Sequence, residues 1–179
     1  LTSGQSAIAE AGKAPTPYVV VRPRDAVQWA LYYPPILYYR GEDFPDDGKN
    51  KWQEMIRESI PCYWGGDLTN AFSRIENAPN DIQDPRFYNY RAAFLLTVGR
   101  VEEAYVDVEK ALNLAPDDST ATALQSIIAT VQKENEKALI LAHKAVETNP
   151  DSATAYIVLS YAHQANLNLE EALSSLQEA

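Results

Sequence analysis

Lys110-Ala-Leu-Asn-Leu-Ala-Pro-Asp117 and Lys144-Ala-Val-Glu-Thr-Asn-Pro-Asp151 are the stretches of this sequence that decide its fold. Both end in Pro-Asp, and Pro116 and Pro150 are 34 residues apart. A period between about 20 and 50 residues is typical of a protein in which one structural unit is stacked several times. The two stretches therefore predict an array of repeated units.

Sets of three apolar residues, most of them alanine, recur in a fixed order along the array. Each set occupies positions i, i+4 and i+7, which share one face of a helix, and alanine at two of them lets a neighbouring helix approach closely. The sets in chain order are Ala71, Ile75 and Ala78; Ala104, Val108 and Ala111; Ala138, Ala142 and Ala145; and Ala172, Leu176 and Ala179. The pattern predicts four such helices, each paired with a preceding helix like the one carrying Tyr88, Ala92 and Leu95.

This order of alanine, a large residue, alanine and proline resembles the tetratricopeptide repeat (TPR) family. The resemblance implies an all-α fold, a right-handed α-solenoid of helical hairpins. Gly66 and Gly99 stand where the family turns between paired helices, a position that favours glycine. We expect four hairpins, at about 52–84, 85–118, 119–152 and 153–179.

Three features depart from the family pattern. Pro61 is expected to kink or stop the first helix, because proline lacks the N–H that continues the helical hydrogen bonds. Lys133 replaces the turn glycine, so a looser third hairpin is expected. The sequence ends at Ala179 inside a second helix without a polar cap, and we expect more repeats or a cap in the full protein.

Residues 1–50 form a separate N-terminal segment. Tyr18-Val-Val-Val-Arg22 is β-branched and predicts a short strand, Asp25 begins a predicted helix at 25–33, and 41–50 reads as a linker or surface loop. We expect Trp29, Tyr32 and Tyr33 of that helix to be core residues covering one end of the solenoid.

A second resemblance lies within this segment. Val21–Ile36 is similar to the segment that joins a FecR-type domain to TPR hairpins in bacterial envelope proteins. That resemblance implies an exported bacterial protein, located in the periplasm or cell envelope.

Charge and hydropathy limit the classes of molecule that the chain is expected to bind. The formal net charge is -10, and no Lys/Arg cluster offers the basic face that nucleic acid requires, so nucleic acid is not expected. No apolar run approaches the roughly 18 residues of a membrane span. The remaining partners are proteins or peptides, including a second copy of the chain.

Few residues could carry chemistry. Cys62, His143 and His163 are the only candidates for a nucleophile or base beyond the acidic residues, and Cys62 lies two to three repeats from either histidine. His163 is interpreted as a packed core residue, His143 as facing a neighbouring helix or solvent, and Cys62 as a small packing residue. The sequence has no metal-binding motif and no phosphate-binding loop, so it predicts no catalytic residue, cofactor or metal.

The predicted site is the concave groove that the first helices of successive TPR hairpins line, as the resemblance implies. Its lining is mainly apolar and lacks the basic set with which some TPR proteins hold a peptide carboxylate. The predicted groove residues are Ile56, Ile60, Tyr63, Arg86, Asn89, Ala93, Leu96, Ala123, Ile127, Ile157, Tyr161 and Gln164.

Two functions stay open at this point. In the first, the chain is a non-enzymatic scaffold that binds a peptide or helix of a partner in this groove. In the second, it is a structural spacer or an oligomerisation or assembly module of a larger exported protein, and the chain fills its own groove.

Overall fold

The chain forms a row of antiparallel helical hairpins. A computed structural model describes residues 5–8, 16–19, 39–45, 50–79 and 81–179. Within these residues the helices are α1 (Lys51–Trp64), α2 (Leu68–Glu76), α3 (Pro85–Thr97), α4 (Val101–Leu114), α5 (Ser119–Val131), α6 (Asn135–Thr148), α7 (Ala153–Ala165) and α8 (Leu169–Glu178). Hairpins 1 to 4 are α1–α2, α3–α4, α5–α6 and α7–α8.

Two short strands precede the helices. β1 (Gln5–Ile8) pairs antiparallel with β2 (Thr16–Val19), and Gln5 lies opposite Val19. The predicted strand at 18–22 overlaps β2 only in part and stays a prediction. The predicted helix at 25–33, with Trp29, Tyr32 and Tyr33, lies outside the described residues.

The first helices of hairpins 2, 3 and 4 begin in the same way. The carboxylate of Asp84 accepts a hydrogen bond from the backbone N–H of Arg86, and Asp118 and Ser152 cap α5 and α7 similarly. These caps satisfy N–H groups that have no partner within the helix. Because the three capping residues are 34 residues apart, one local signal sets the helix start in each repeat.

The turns inside all four hairpins share one geometry. Gly66, Gly99, Lys133 and Leu167 have φ of 79°, 76°, 63° and 63°. In each turn the next residue's N–H donates to the carbonyl five positions before it, as Glu134 does to Ala129 at 2.9 Å. Lys133 therefore closes the third hairpin as a glycine would, and the expected looser turn is not found.

Pro61 does not end the first helix. α1 runs through Pro61 to Trp64, so the expected stop is wrong. Pro61 is exposed and lies in the last turn, where a missing N–H removes one hydrogen bond from a helix that is already ending. One turn later the N–H of Gly65 donates to the Pro61 carbonyl at 2.9 Å, which closes the helix.

The recurring alanines form the seam of each hairpin. Ala71, Ala104 and Ala138 are completely buried. Ser59 Oγ donates to the Ala71 carbonyl at 2.8 Å, and Ser126 Oγ donates to the Ala138 carbonyl at 2.7 Å. A side chain larger than alanine or serine would hold the two backbones apart, which explains the small residues of the sequence pattern.

The hairpins stack with one layer of helices on the inside. Successive first helices pack against one another, and α5 and α7 also pack on the preceding second helices, α4 and α6. Within the described part of the chain, successive second helices do not pack together to a similar extent. The first helices α1, α3, α5 and α7 therefore form the inner side of the stack, and their exposed surface is called the groove below.

The predicted all-α stack of hairpins is confirmed for residues 50–179 as described, and its right-handed sense stays a prediction. None of the described helices is long and apolar enough to cross a bilayer.

Candidate functional site

The predicted groove residues divide into a buried and an accessible group. Eight are buried in the helix packing: Ile56, Ile60, Asn89, Ala93, Leu96, Ala123, Ile127 and Tyr161. The side chains of these eight residues are enclosed by neighbouring helices, so they offer little surface to a partner. Asn89 illustrates the reason, since its Nδ2 lies 3.1 Å from both carboxylate oxygens of Asp118, the cap of α5.

Two of the accessible residues lie on α7, the first helix of hairpin 4. Ile157 is half-buried and Gln164 is exposed, whereas Tyr161 between them is buried, with 9% of its surface accessible. The three occupy positions i, i+4 and i+7 of α7 and so form a single stripe. The remaining members, Tyr63 and Arg86, are half-buried and exposed respectively, near the other end of the stack.

A piece of the chain itself lies against α1 and α3. Residues 39–45 contain one 3-10 turn, Gly41–Asp43, in which the backbone N–H of Arg40 donates to Asp43 Oδ2 at 2.7 Å. The turn brings two aromatic side chains, those of Tyr39 and Phe44, to the same side. The segment Tyr39–Phe44 was predicted in part as a surface loop, but Phe44 is only 1% exposed.

Aromatic contacts hold this segment in place. The Phe44 ring lies 6.2 Å from that of Trp52 on α1 and 6.0 Å from that of Tyr90 on α3. The Tyr39 ring is 5.4 Å from Tyr90, edge to face. Such pairs add about 0.5–1.5 kcal/mol each beyond the area they bury. The first-helix layer thus already accommodates an irregular segment with bulky side chains.

Tyr90 connects this segment to the first hairpin. Its hydroxyl donates to Ser59 Oγ at 2.9 Å, and burial raises its pKa to about 12. The pKa of Tyr39 is also raised, by burial and then by the negative charge of Asp118. Both phenols therefore stay neutral at physiological pH. The sequence did not reveal this role for Tyr39 and Phe44, because their neighbours at 40–43 are polar or glycine.

A second concavity lies on the outer side, between α2, α3 and α4. It has a volume of about 440 Å³, and its lining includes the apolar residues Phe72, Leu95 and Val106. The guanidinium of Arg91 makes two hydrogen bonds to the Asp107 carboxylate, at 2.6 and 2.7 Å. Burial would lower the pKa of Arg91, but the hydrogen bonds and charge of Asp107 outweigh it and raise the pKa. Arg91 and Asp107 therefore neutralise each other's charge in the lining of the cleft.

The two histidines lie together at the interface of hairpins 3 and 4. The rings of His143 and His163 are 5.5 Å apart and perpendicular. His163 is buried, which confirms its interpretation as a core residue, and His143 is exposed. Burial lowers the pKa of His163, the nearby His143 lowers it further, and Glu171 opposes both effects.

His143 and His163 have neither a thiol nor a set of metal ligands beside them in the described residues. Cys62 is half-buried on α1, in the first hairpin. Across the described ranges, no group of three or more His, Cys, Asp or Glu side chains could hold a metal ion.

Comparisons with known proteins support the fold. No protein-family model matches the sequence, and no curated protein matches it. The chain is similar in structure to TTC0263, a thermophilic TPR protein of Thermus thermophilus, with TM-score 0.62, 21% identity, and 71% of this chain and 72% of that chain covered. It is also similar to MamA 41-end from Desulfovibrio magneticus RS-1, with TM-score 0.54, 22% identity, and 72% and 73% covered.

A further MamA structure matches with TM-score 0.55, 12% identity, and 87% and 86% of the two chains covered. These similarities establish a TPR-like fold. Because the identities are low, they do not carry an activity or a partner over to this chain.

Proposed function

We propose that this chain is a non-enzymatic scaffold that binds a segment of a partner protein along its groove. The observation that carries the proposal is the seat of Tyr39–Phe44 on α1 and α3, an irregular segment held by two aromatic side chains. A surface that holds such a segment in the same chain has the shape and apolar character to hold one from another chain. The TPR-like fold supports the same general role.

The α7 stripe is the proposed partner site. Ile157 and Gln164 offer a branched and an amide side chain, Tyr161 between them is accessible only at its edge, and none of the three is charged. Such a stripe fits an amphipathic helix or an extended segment with bulky apolar side chains, because burial of apolar area then supplies most of the binding free energy. The stripe has no basic side chain for a peptide's terminal carboxylate.

Selection of peptides tests this proposal. Peptides displayed on phage and selected on the chain are expected to lose at least tenfold in affinity when Ile157→Asp and Gln164→Ala are introduced together. The matched control is Ile140→Asp, because Ile140 is an exposed apolar residue on the second helix α6. Circular dichroism checks that both variants remain helical. Equal binding to both variants would remove the groove assignment.

The same segment also favours a second candidate function. If the surface of α1 and α3 serves only to hold Tyr39–Phe44, the chain is a structural spacer or assembly module. The double variant Tyr39→Ala with Phe44→Ala separates the two. If the chain is a partner-binding scaffold, the double variant should bind the selected peptides at least as well as the unmutated chain. If the chain is a spacer, the double variant should only lose stability or change its oligomeric state in light scattering.

We also propose that this protein is exported to the bacterial cell envelope. The support is the similarity of Val21–Ile36 to the segment that follows a FecR-type domain. An epitope-tagged product of the complete gene should fractionate with the periplasm or envelope. Recovery in the cytoplasm, with no upstream export signal, would contradict this proposal.

A further inference from the structure

The junction between hairpins 1 and 2 is built differently from the two later junctions. At those junctions a first helix packs closely on the second helix before it, α5 on α4 and α7 on α6. Among the described residues, α3 does not approach α2 to a similar extent. The outer cleft, which is the concavity between α2, α3 and α4, lies at this junction. The outer side of the stack is therefore less closely packed here than further along.

The inner layer of first helices shows a matching difference. α5 packs extensively on α7, whereas α3 makes much less extensive contact with α1 and with α5. Rings make the contact between α1 and α3, such as those of Tyr63 and Phe94, whose centroids are 5.8 Å apart. Phe94 also stacks on Phe72 of α2, at 5.6 Å. Because rings hold helix backbones further apart than alanine or serine does, hairpin 1 joins hairpin 2 through long side chains.

The segment Tyr39–Phe44, called the inner segment below, lies on this widely spaced part of the layer. Phe44 is 1% exposed and its ring is 6.0 Å from that of Tyr90 on α3. Tyr39 lies on the other side of Tyr90, at 5.4 Å, and near Asp118, the cap of α5, whose charge helps to raise the pKa of Tyr39. The inner segment therefore extends from α1 past α3 towards α5, along the first helices that are set apart.

We propose that the inner segment is a removable wedge that sets the angle between hairpins 1 and 2. While it is seated, Phe44 keeps the inner edges of α1 and α3 apart. When a partner segment or a mutation removes it, the neighbouring rings close the void, because a packed interior does not keep an empty space of that size without a cost in stability. Hairpin 1 then turns inward about the ring contacts of Phe94, and the outer cleft widens. This inference does not depend on binding at the α7 stripe.

Spin labels at equivalent positions of successive second helices test the inference. Ser73, Val106 and Ile140 are 33 and 34 residues apart, and all three are exposed. With the single cysteine Cys62 replaced by alanine, Ser73→Cys with Val106→Cys gives the cleft pair, with one label on each of two helices that border the outer cleft. Val106→Cys with Ile140→Cys gives the control pair, across the closely packed junction of hairpins 2 and 3. Pulsed electron paramagnetic resonance measures both distances in the full chain.

Removal of the two rings should change one distance and not the other. In Tyr39→Ala with Phe44→Ala we expect the distance of the cleft pair to grow by a few ångströms and the distance of the control pair to stay the same. Tyr39→Phe is the matched variant, because it keeps both rings, and it should leave both distances as they are in the unmutated chain. Circular dichroism should show the same helix content throughout, since neither residue belongs to an α-helix.

Four results would overturn the inference. The first is an unchanged distance for the cleft pair, and the second is a shorter one, since the inner segment would then clamp the inner edges together. The third is an equal change in both pairs, which would mean that the whole stack loosens. The fourth is a change within hairpin 1 itself, measured between Glu54→Cys on α1 and Ser73→Cys on α2, because hairpin 1 would then unfold and not turn. No partner is present in these measurements, so their failure is distinguishable from failure of the groove proposal.

Discussion

Removal of the Asp107 carboxylate should destabilise the chain strongly. Asp107 is 3% exposed and its partner Arg91 is 15% exposed, so the pair is almost completely enclosed between α3 and α4. Asp107→Ala leaves the guanidinium of Arg91 buried without its two hydrogen bonds. Breaking a buried pair from one side costs about 3–5 kcal/mol, and because Arg91 borders the outer cleft we expect the lower end, about 3 kcal/mol.

The chain contains a matched control for this experiment. Arg74 and Glu58 also form an ion pair between the two helices of a hairpin, at 2.7 Å, but their side chains are 50% and 49% exposed. Glu58→Ala should therefore cost no more than about 0.5 kcal/mol, because water replaces the lost partner. Both pairs join residues 16 positions apart, so the loop they close is the same length and the comparison isolates burial.

The assay is urea unfolding followed by circular dichroism at pH 7, for the parent chain and each variant. A further variant, Arg91→Met with Asp107→Leu, should recover most of the loss, since an apolar pair of similar volume has no charge to desolvate. The reasoning is refuted if Asp107→Ala costs less than about 1 kcal/mol or if it is no worse than Glu58→Ala.

Three other perturbations follow from the turns, the buried histidine and the phenol. Lys133→Gly and Leu167→Gly should each stabilise by about 1 kcal/mol, since both residues have positive φ, and thermal melts that show no gain would contradict the turn geometry. Because burial lowers the folded-state pKa of His163 below its unfolded value of 6.5, the unfolded chain binds the proton more readily, so stability should fall as pH drops through about 6.5. His163→Leu should flatten that part of the stability–pH curve measured by urea titration. Tyr90→Phe should cost about 1 kcal/mol by losing the bond to Ser59, and an unchanged urea midpoint would argue against that bond.

The sequence predicted the hairpins well because their signals are local. The alanines at i, i+4 and i+7 specify the seam, and the capping residues Asp84, Asp118 and Ser152 specify where first helices begin. The turn at Lys133 could not be predicted in this way. A positive φ at lysine is unfavourable on its own, and the packing of α5 on α6 imposes it.

The candidate site was predicted less well, for a different reason. Register predicts which positions of a first helix face inward, and two of the positions it gave on α7, Ile157 and Gln164, are accessible. It does not tell whether another segment covers those positions. Phe44 lies in a polar stretch of the sequence, and its burial depends on Trp52 and Tyr90, which belong to two different hairpins.

The composition of Ala145–Ala179 determines which chemical reagents can detect contacts made by α7 and α8. With no Lys or Arg after Lys144, trypsin has no cleavage site in Ala145–Ala179, and amine-reactive crosslinkers have nothing to modify there. A crosslinking experiment that relies on lysine would therefore detect no crosslink on α7 or α8, whether or not a partner is bound. Carbodiimide coupling works in the opposite direction, because Glu170 supplies the activated carboxylate and a lysine of a bound protein supplies the amine. A crosslink at Glu170, read after cleavage at acidic residues, would identify both the partner and its point of contact.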